Sequence, residues 1–170
     1  MHDTKIRLEA AIAPHRDRLA TPALIIDLDA VDHNIAAMLH RCGGDPTRWR
    51  PHIKTVKQAA IVARLLAHGL RALKCATLAE LSLALEVADA EGVAGVDVLL
   101  AFPLHEAALR AALRLAARHP SAALTLLVDS PEHARWIDTW SRERGVRVRV
   151  LVDVDVGMRR TGAPPARGLA

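Results

Sequence analysis

Short apolar runs alternate with longer stretches that carry apolar residues at helical spacing along most of this 170-residue chain. Thr77 and Glu80 form the pattern of a capping box, Ser130 precedes a first-turn proline, and Asp29 is predicted to cap the first long helix. The apolar runs predict six strands, at residues 23–27, 50–54, 73–76, 96–102, 123–129 and 146–156. The stretches between them predict five helices, at about residues 30–41, 57–68, 77–90, 104–118 and 131–145.

Strict alternation of strands and helices is typical of α/β proteins with a parallel sheet. Two architectures fit this order, an open doubly wound sheet and a (β/α)8 barrel. No GxGxxG follows the first predicted strand and no GxxxxGK[ST] occurs in the chain, which weakens the nucleotide-binding forms of the open sheet. A complete barrel needs roughly 200 residues or more. The barrel interpretation therefore predicts an incomplete (β/α)8 barrel of about six βα units.

Composition and charge narrow the possible partners. Apolar residues make up 51% of the chain, enough for a sizeable core. The net charge of +4 comes from arginines scattered along the sequence without interleaved aromatics, so solvated helix faces are favoured over nucleic-acid binding. Cys42 and Cys75 form no metal-ligand pair and are expected to be free thiols. Residues 1–18 lack an apolar signal-peptide core and no run is long enough to span a membrane, so a cytoplasmic location is expected.

Lys54 stands out because the chain has only four lysines against nineteen arginines. Residues two apart on a strand share a face, so Arg50, His52 and Lys54 are predicted to point the same way. Three such side chains would be costly in an apolar core and fit better around an anionic ligand. Neighbouring positive charge and desolvation would favour the neutral amine, which attacks carbonyls. The alternative, which spacing alone slightly favours, is a lysine that extends to solvent from a strand end.

A second candidate site follows the last predicted strand, in the segment Asp153–Gly162. Gly157 and Gly162 flank two arginines there, Arg159 and Arg160, and glycine lets the backbone turn sharply or approach a ligand. An arginine held in such a loop can present its planar guanidinium to a carboxylate, phosphate or phenolate oxygen. The alternative is an ordinary turn with solvated arginines, which the pattern alone favours.

Other catalytic signatures are missing from the sequence. The nine histidines show no HExxH or comparable ligand spacing, so no metal site is predicted within this chain. There is no G-x-S-x-G segment either, which leaves serine hydrolase chemistry without support. Candidate chemistry therefore depends on Lys54 and on the segment Asp153–Gly162, which we call the arginine loop.

These two candidate sites belong to a set of motifs that occur in a fixed order. With them the chain resembles the fold-type III pyridoxal-phosphate enzymes, whose N-terminal domain is an alanine racemase-type barrel. Within that group it is most similar to the D-threonine aldolase and D-serine dehydratase family, and the form Arg-Pro-His-x-Lys-Thr separates that family from alanine racemase itself. The matching stretches are Thr21–Asn34, Arg50–Thr55, Lys74–Glu80 and Asp155–Gly162.

The resemblance implies pyridoxal 5'-phosphate as the cofactor and Lys54 as the lysine that forms its Schiff base. It also implies that His52 lines the cofactor pocket and that Arg160 reaches the cofactor's phenolic oxygen or the substrate carboxylate. The implied substrates are small D-3-hydroxy amino acids, which an aldolase cleaves between Cα and Cβ and a dehydratase converts by loss of the α-proton and the β-hydroxyl. A divalent metal assists both reactions in the family, and its ligands are expected outside this chain. The full-length form is expected to be a homodimer, without nucleic-acid or membrane partners.

Members of this family are longer than this chain, and the parts that hold the cofactor phosphate and the metal have no counterpart in it. We therefore expect a helical lead-in over residues 1–20, a partial alanine racemase-type barrel over residues 21–162 and a tail over residues 163–170. Together they would form the N-terminal portion of a lyase, in a truncated chain. Two alternatives are a non-catalytic pyridoxal-phosphate-binding protein of the homeostasis type and an inactive remnant. An incomplete barrel leaves sheet edges open, which favours association.

Overall fold

The structure, a computed structural model, describes residues 8–165. Helices and strands alternate from the second helix onward. The helices are α1 (Leu28–Arg41), α2 (Ala59–Ala67), α3 (Leu78–Ala90), α4 (Glu106–Arg118) and α5 (Pro131–Glu143). The strands are β1 (Ala72–Cys75), β2 (Asp97–Leu100), β3 (Ala123–Val128) and β4 (Arg149–Val152). Short 3-10 helices lie at Ala13–Arg18, Pro46–Arg48 and Ile53–Thr55.

The sheet is parallel and its strands follow one another in the order β1-β2-β3-β4. Successive helices from α1 to α5 also pack side by side. A sheet that advances in one direction, with its helices in one layer, has the winding of a (β/α)8 barrel, whereas the strand order of a doubly wound sheet reverses at a switch point. The chain therefore has an α/β fold whose sheet is an arc of a barrel, as the barrel interpretation predicted.

Alternate residues of β1 to β3 pack against the helix layer, whereas all four residues of β4 are exposed. The packed residues belong to one hydrophobic cluster with residues of the helices, including Leu109 and Leu113 of α4, which are fully buried. Full burial of such a side chain contributes about 1.5–3 kcal/mol. The strand residues between them are less buried and face the inside of the arc. The buried apolar strand residues are Leu73, Cys75, Val98, Leu100, Leu124, Leu126 and Val128, and Thr125 of β3 is a buried polar residue between two of them.

Local capping follows the sequence signals at two of three helices. Thr77 Oγ1 accepts a hydrogen bond from the Glu80 N–H at 3.2 Å, and Ser130 Oγ accepts one from the His133 N–H at 3.2 Å, which confirms both predicted caps. The predicted cap of α1 is wrong by two residues. The side chain of Asp27, not Asp29, accepts from the first turn, so α1 begins earlier than predicted.

Two of the six predicted strands are wrong within residues 8–165. Residues 23–27 form no strand, and Leu24 is 83% exposed. The segment 50–54 is reduced to a single parallel bridge, between His52 and Lys74, because the chain coils into a 3-10 helix at Ile53. The sheet accordingly has four strands in the described residues instead of about six.

The predicted strand ends also shift. The strand predicted at residues 96–102 is shorter in the structure, at Asp97–Leu100, and that predicted at residues 146–156 is limited to Arg149–Val152. The predicted helical lead-in is α-helical over residues 8–12 and continues as the 3-10 helix Ala13–Arg18. The rest of its N-terminal end, residues 1–7, and most of the predicted tail, residues 166–170, lie outside the described residues. No helix in the described range is long and apolar enough to cross a membrane.

Candidate cofactor site at the Lys54 turn

The bridge between His52 and Lys74 places the Arg50–Lys54 segment beside β1 and parallel to it. The Lys74 N–H donates to the Pro51 carbonyl oxygen at 2.9 Å, which fixes this alignment. Because the two segments run in the same direction, Arg50 lies toward the amino end of β1 and Lys54 lies toward its carboxyl end. The carboxyl ends of the strands form the face on which barrel enzymes build their active sites.

Lys54 lies in the 3-10 helix Ile53–Thr55, and its side chain is exposed. The neighbouring Ile53 is 1% exposed and anchors the turn in the core. We call the residues from Ile53 to Lys57 the Lys54 turn, since the Lys57 N–H closes it on the Ile53 carbonyl oxygen at 3.0 Å. The expected desolvation of the Lys54 amine is therefore not present in residues 8–165. The turn instead presents that amine at the carboxyl edge of the sheet.

The Arg50 side chain lies away from His52 and Lys54, so the prediction that these three side chains surround one ligand is wrong for Arg50. Its guanidinium donates to the Asp97 carboxylate at 2.8 Å and to the carbonyl oxygens of Leu73 and Asp97, both at 3.1 Å. All of these partners belong to β1 and β2. Arg50 therefore fastens its segment to the amino ends of the strands, away from the face that carries Lys54.

Asp97 is the centre of this polar network inside the arc. Its carboxylate also accepts from Thr125 Oγ1 at 2.9 Å and from the Arg149 guanidinium at 3.0 Å. Burial by itself would raise the pKa of Asp97, but hydrogen bonds from Arg50 and Thr125, with the charges of Arg50 and Arg149, hold that pKa below its ordinary value. The ionised Asp97 thus joins β2 to the strands and segment on either side of it.

His52 is held between Lys74 and Lys54. Its Nδ1 lies 3.1 Å from the Lys74 carbonyl oxygen and 3.4 Å from the Lys54 backbone nitrogen. The first contact requires a protonated Nδ1 and the second an unprotonated one, so only one forms at a time. Burial, followed by the charges of Lys54 and Lys74, lowers the pKa of His52, although the Lys74 carbonyl and Glu80 oppose this. His52 is therefore neutral near pH 7.

A buried carboxylate, Glu80, completes the surroundings of the Lys54 turn. Its side chain is 3% exposed, accepts from the Ala76 N–H at 2.8 Å and lies 3.5 Å from Lys57 Nζ. The sequence predicted Glu80 only as a capping-box residue, and the role of its carboxylate was missed. The expected capping-box partner was the Thr77 N–H, but the carboxylate extends to the residue before it. The spacing of Lys57 and Glu80 along the chain carries no signal for this contact.

The arginine loop is folded back on itself at the carboxyl end of β4. Asp155 Oδ1 accepts from the Arg159 and Gly157 N–H groups, both at 2.9 Å, and these hydrogen bonds lower the pKa of Asp155. A bridge between Val154 and Ala163 closes the loop. The preceding Gly162 has φ +100°, and a Cβ there would lie 2.6 Å from the Asp155 nitrogen, so glycine is required.

Arg160 is exposed in this loop, and its guanidinium nitrogen lies 3.5 Å from the Met158 sulfur. Within the part of the chain that the structure describes, no hydrogen bond or ion pair joins Arg160 to His52 or Lys54. The structure thus brings two of the three predicted site residues together. Arg160 shares only the carboxyl edge of the sheet with them.

The nearby cysteine is unsuited to nucleophilic chemistry. Cys75, the last residue of β1, is fully buried, and burial with the charge of Glu80 raises the pKa of its thiol to about 12. A thiol is nucleophilic only as its thiolate. Both Cys42 and Cys75 are free. The residues that remain are an exposed amine, a neutral imidazole and the further cation Lys74, a set that fits an anionic aldehyde such as pyridoxal phosphate.

An arc of a parallel βα barrel with polar side chains at the carboxyl edge of its strands has the layout of the barrel enzymes, which build their active sites at that edge. The model of the family described as alanine racemase, N-terminal domain, matches residues 26–170. The chain belongs to this family, the fold-type III pyridoxal-phosphate proteins, as the resemblance indicated.

Two characterised relatives are lyases. The chain is 35% identical to the D-threo-3-hydroxyaspartate dehydratase of Delftia sp. (strain HT23) and 31% identical to a D-threonine aldolase of Arthrobacter sp., over 145 residues in each case. These alignments cover 85% of this chain and 36% of each relative. The chain therefore spans little more than a third of the length of the relatives it matches.

Solved structures agree with these matches. The crystal structure of D-threonine aldolase from Filomicrobium marinum superposes with a TM-score of 0.74 at 29% identity, over 88% of this chain and 38% of that one. A histidine-to-alanine mutant of D-threo-3-hydroxyaspartate dehydratase superposes with a TM-score of 0.68 at 34% identity, over 86% of this chain and 36% of that one. Both support the barrel arc described above.

Proposed function

We propose that this chain is the N-terminal part of a pyridoxal-phosphate-dependent lyase acting on D-3-hydroxy amino acids, and that Lys54 binds the cofactor covalently. The observation that carries the proposal is the Lys54 turn, which presents an amine at the carboxyl edge of a barrel arc beside a neutral His52. The relatives support the substrate class, since D-threonine and D-threo-3-hydroxyaspartate are both D-3-hydroxy amino acids.

Each residue of the site has a defined task in this proposal. Lys54 holds the cofactor through Nζ, and His52 lines one wall of its pocket as an uncharged group. Lys74, held at mid-strand on the inner face of β1, adds positive charge to the site. When bound, pyridoxal phosphate supplies a ring that withdraws electrons from the substrate Cα.

Arg160 is proposed to bind the phenolic oxygen of the cofactor or the carboxylate of the substrate. Its support is its place in the fold, since its loop follows β4 at the same carboxyl edge of the sheet at which Lys54 lies, beside the end of β1. The planar guanidinium suits either oxygen target. Asp155 and Gly162 fix the base of the loop, which leaves the exposed Arg160 side chain able to turn toward a ligand.

The remaining parts of the proposal concern the whole protein. The ligands of a divalent metal, and the groups that would bury the Lys54 amine, are proposed to lie outside this chain. We also propose that the whole protein is a cytoplasmic homodimer. Whether it acts as an aldolase or a dehydratase depends on substrate-side residues beyond the Lys54 turn, and a dehydratase could also accept D-serine.

Substrate turnover by the intact gene product tests this function. An aldolase releases glycine and acetaldehyde from D-threonine, whereas a dehydratase releases ammonia and a 2-oxo acid from D-threo-3-hydroxyaspartate or D-serine. We expect one of these product pairs, dependent on added pyridoxal phosphate and lost in Lys54→Ala. Cofactor binding without turnover of any D-3-hydroxy amino acid would instead identify a non-catalytic binding protein. Absence of both cofactor binding and turnover would identify an inactive remnant.

A further inference from the structure

Glu80 is the carboxylate buried beside the Lys54 turn, and only 3% of its side chain is exposed. Burial of an ionised carboxylate is costly unless charges and hydrogen bonds compensate for it. Here the Ala76 N–H donates to Oε2 at 2.8 Å, and Lys57 Nζ lies 3.5 Å from Oε1. Glu80 therefore ties the start of α3 and the end of β1 to Lys57.

Lys57 is the residue that closes the Lys54 turn. Its backbone adopts φ +47°, a left-handed conformation that residues other than glycine rarely adopt. The Lys57 N–H donates to the Ile53 carbonyl oxygen, and its side chain reaches Glu80. The turn that carries Lys54 is thus anchored at Ile53 by the core and at Lys57 by a buried charge.

We propose that the Glu80–Lys57 pair is a positioning device that fixes the Lys54 turn and so aims the Lys54 amine. This inference rests on the proposed function of Lys54, and neither Glu80 nor Lys57 is proposed to take part in the reaction. Lys57 is 62% exposed but Glu80 is only 3% exposed, so loss of Lys57 leaves a buried carboxylate without its ion pair and should also lower stability. The effect that identifies the device is expected in the geometry of the turn.

Three variants of the intact gene product test the device: Lys57→Met, Lys57→Arg and Glu80→Gln. Each is incubated with pyridoxal 5'-phosphate and reduced with borohydride, and the labelled lysines are mapped by peptide analysis. The lysine nitrogen adds to the aldehyde carbon and water leaves, giving a C=N bond. Borohydride then delivers hydride to that carbon and water protonates the nitrogen, which leaves a stable amine. Arg142→Met, which removes the exposed pair with Asp138 at 2.8 Å, is the matched control.

We expect Lys57→Met to slow labelling of Lys54 by about tenfold and to shift label toward other lysines, since small misplacements of a reacting group cost up to ~10²-fold. Its thermal midpoint should fall because the buried Glu80 loses its ion pair, so labelling is compared at a temperature at which both proteins are folded. Lys57→Arg should restore labelling because it keeps the charge. The double variant Lys57→Met/Glu80→Gln should be no worse than the more severe single variant, as expected for residues that act as a unit.

Labelling of Lys54 at the parent rate in Lys57→Met would overturn the positioning role, and this variant decides the question even if Glu80→Gln fails to fold. A second measurement distinguishes failure of the positioning proposal from failure of the proposed function of Lys54. Pulse acetylation with acetic anhydride measures the exposure of the Lys54 amine without cofactor. If the parent protein takes no label on Lys54, the proposed function fails. In that case the positioning proposal is still decided by the rate of Lys54 acetylation. A rate in Lys57→Met that differs from the parent rate would support positioning, and an unchanged rate would overturn it.

Discussion

The imidazole Nδ1 of His52 lies 3.1 Å from the carbonyl oxygen of Lys74, across the single bridge that joins the His52 segment to β1. This contact aligns the segment so that Lys54, two residues later, emerges at the carboxyl edge of the sheet. After burial, the charges of Lys54 and Lys74 lower the pKa of the same imidazole. His52 therefore links the fold of the segment to the electrostatics of the candidate site.

His52 should titrate below the ordinary pKa of histidine, about 6.5, because burial and two neighbouring cations disfavour its charged form. Lys54→Met removes one of these cations and should raise the His52 pKa. The titration of the imidazole Cε1 proton by NMR measures both values. The control Arg142→Met should leave the His52 pKa as it is, and a His52 pKa that does not respond to Lys54→Met would contradict the proximity of the two side chains.

Asp97→Asn should lower the free energy of unfolding by about 1.5–3 kcal/mol at pH 7, the range for lost hydrogen bonds to a charged group. The pKa of Asp97 is held below its ordinary value in the folded protein. Its ionised form therefore stabilises the fold above about pH 4, the unfolded value, and this contribution disappears as pH falls through the folded pKa.

Urea unfolding of both proteins at several pH values checks this prediction. The difference in unfolding free energy between the parent and Asp97→Asn should shrink below about pH 4. A constant difference between pH 7 and pH 3 would mean that the Asp97 charge is not what joins Arg50 and Arg149.

Gly162→Ala should destabilise the arginine loop more than Gly92→Ala destabilises the turn after α3. Both glycines have positive φ, at +100° and +64°, but an added Cβ meets the Asp155 backbone at 2.6 Å only at Gly162. The strain at Gly92 is limited to about 1–2 kcal/mol, and Gly162→Ala adds a backbone clash to such strain. Thermal unfolding of the two variants side by side gives the comparison, and equal losses would show that the loop closes differently.

Cys42 should react with a thiol reagent in the native protein, and Cys75 should react only after unfolding. Cys75 is fully buried and the pKa of its thiol is raised to about 12, whereas Cys42 is partly exposed. Counting labelled thiols before and after adding denaturant checks this order. Rapid labelling of Cys75 under native conditions would indicate that the end of β1 is open to solvent.

Much of the fold could be predicted from sequence because its signals are local. The caps Thr77 and Ser130 and the apolar runs of β1 to β3 each reflect contacts close in sequence or burial on one face. The predicted strands at residues 23–27 and 50–54 failed because a strand also needs a pairing partner, which apolar composition does not specify. One bridge to β1 is all that the second segment obtains.

In the candidate site, too, features with a local sequence signal were predicted, and contacts between residues distant in sequence were not. Lys54 and His52 were found from their motif, and the structure places them together. Arg50 was misplaced because its partner Asp97 is distant in sequence, and the contact of Lys57 with Glu80 was missed for the same reason. The role of Arg160 stays a prediction, since its loop supplies the correct edge of the sheet and no contact with the other two residues.

Borohydride reduction of the intact gene product with bound pyridoxal 5'-phosphate, followed by peptide mapping, tests the central claim most directly. We expect label on Lys54, with Lys57 and Lys74 unlabelled at one equivalent of cofactor, and no specific label in Lys54→Ala. Label on another lysine, or specific labelling that survives Lys54→Ala, would contradict the assignment of Lys54 as the residue that binds the cofactor.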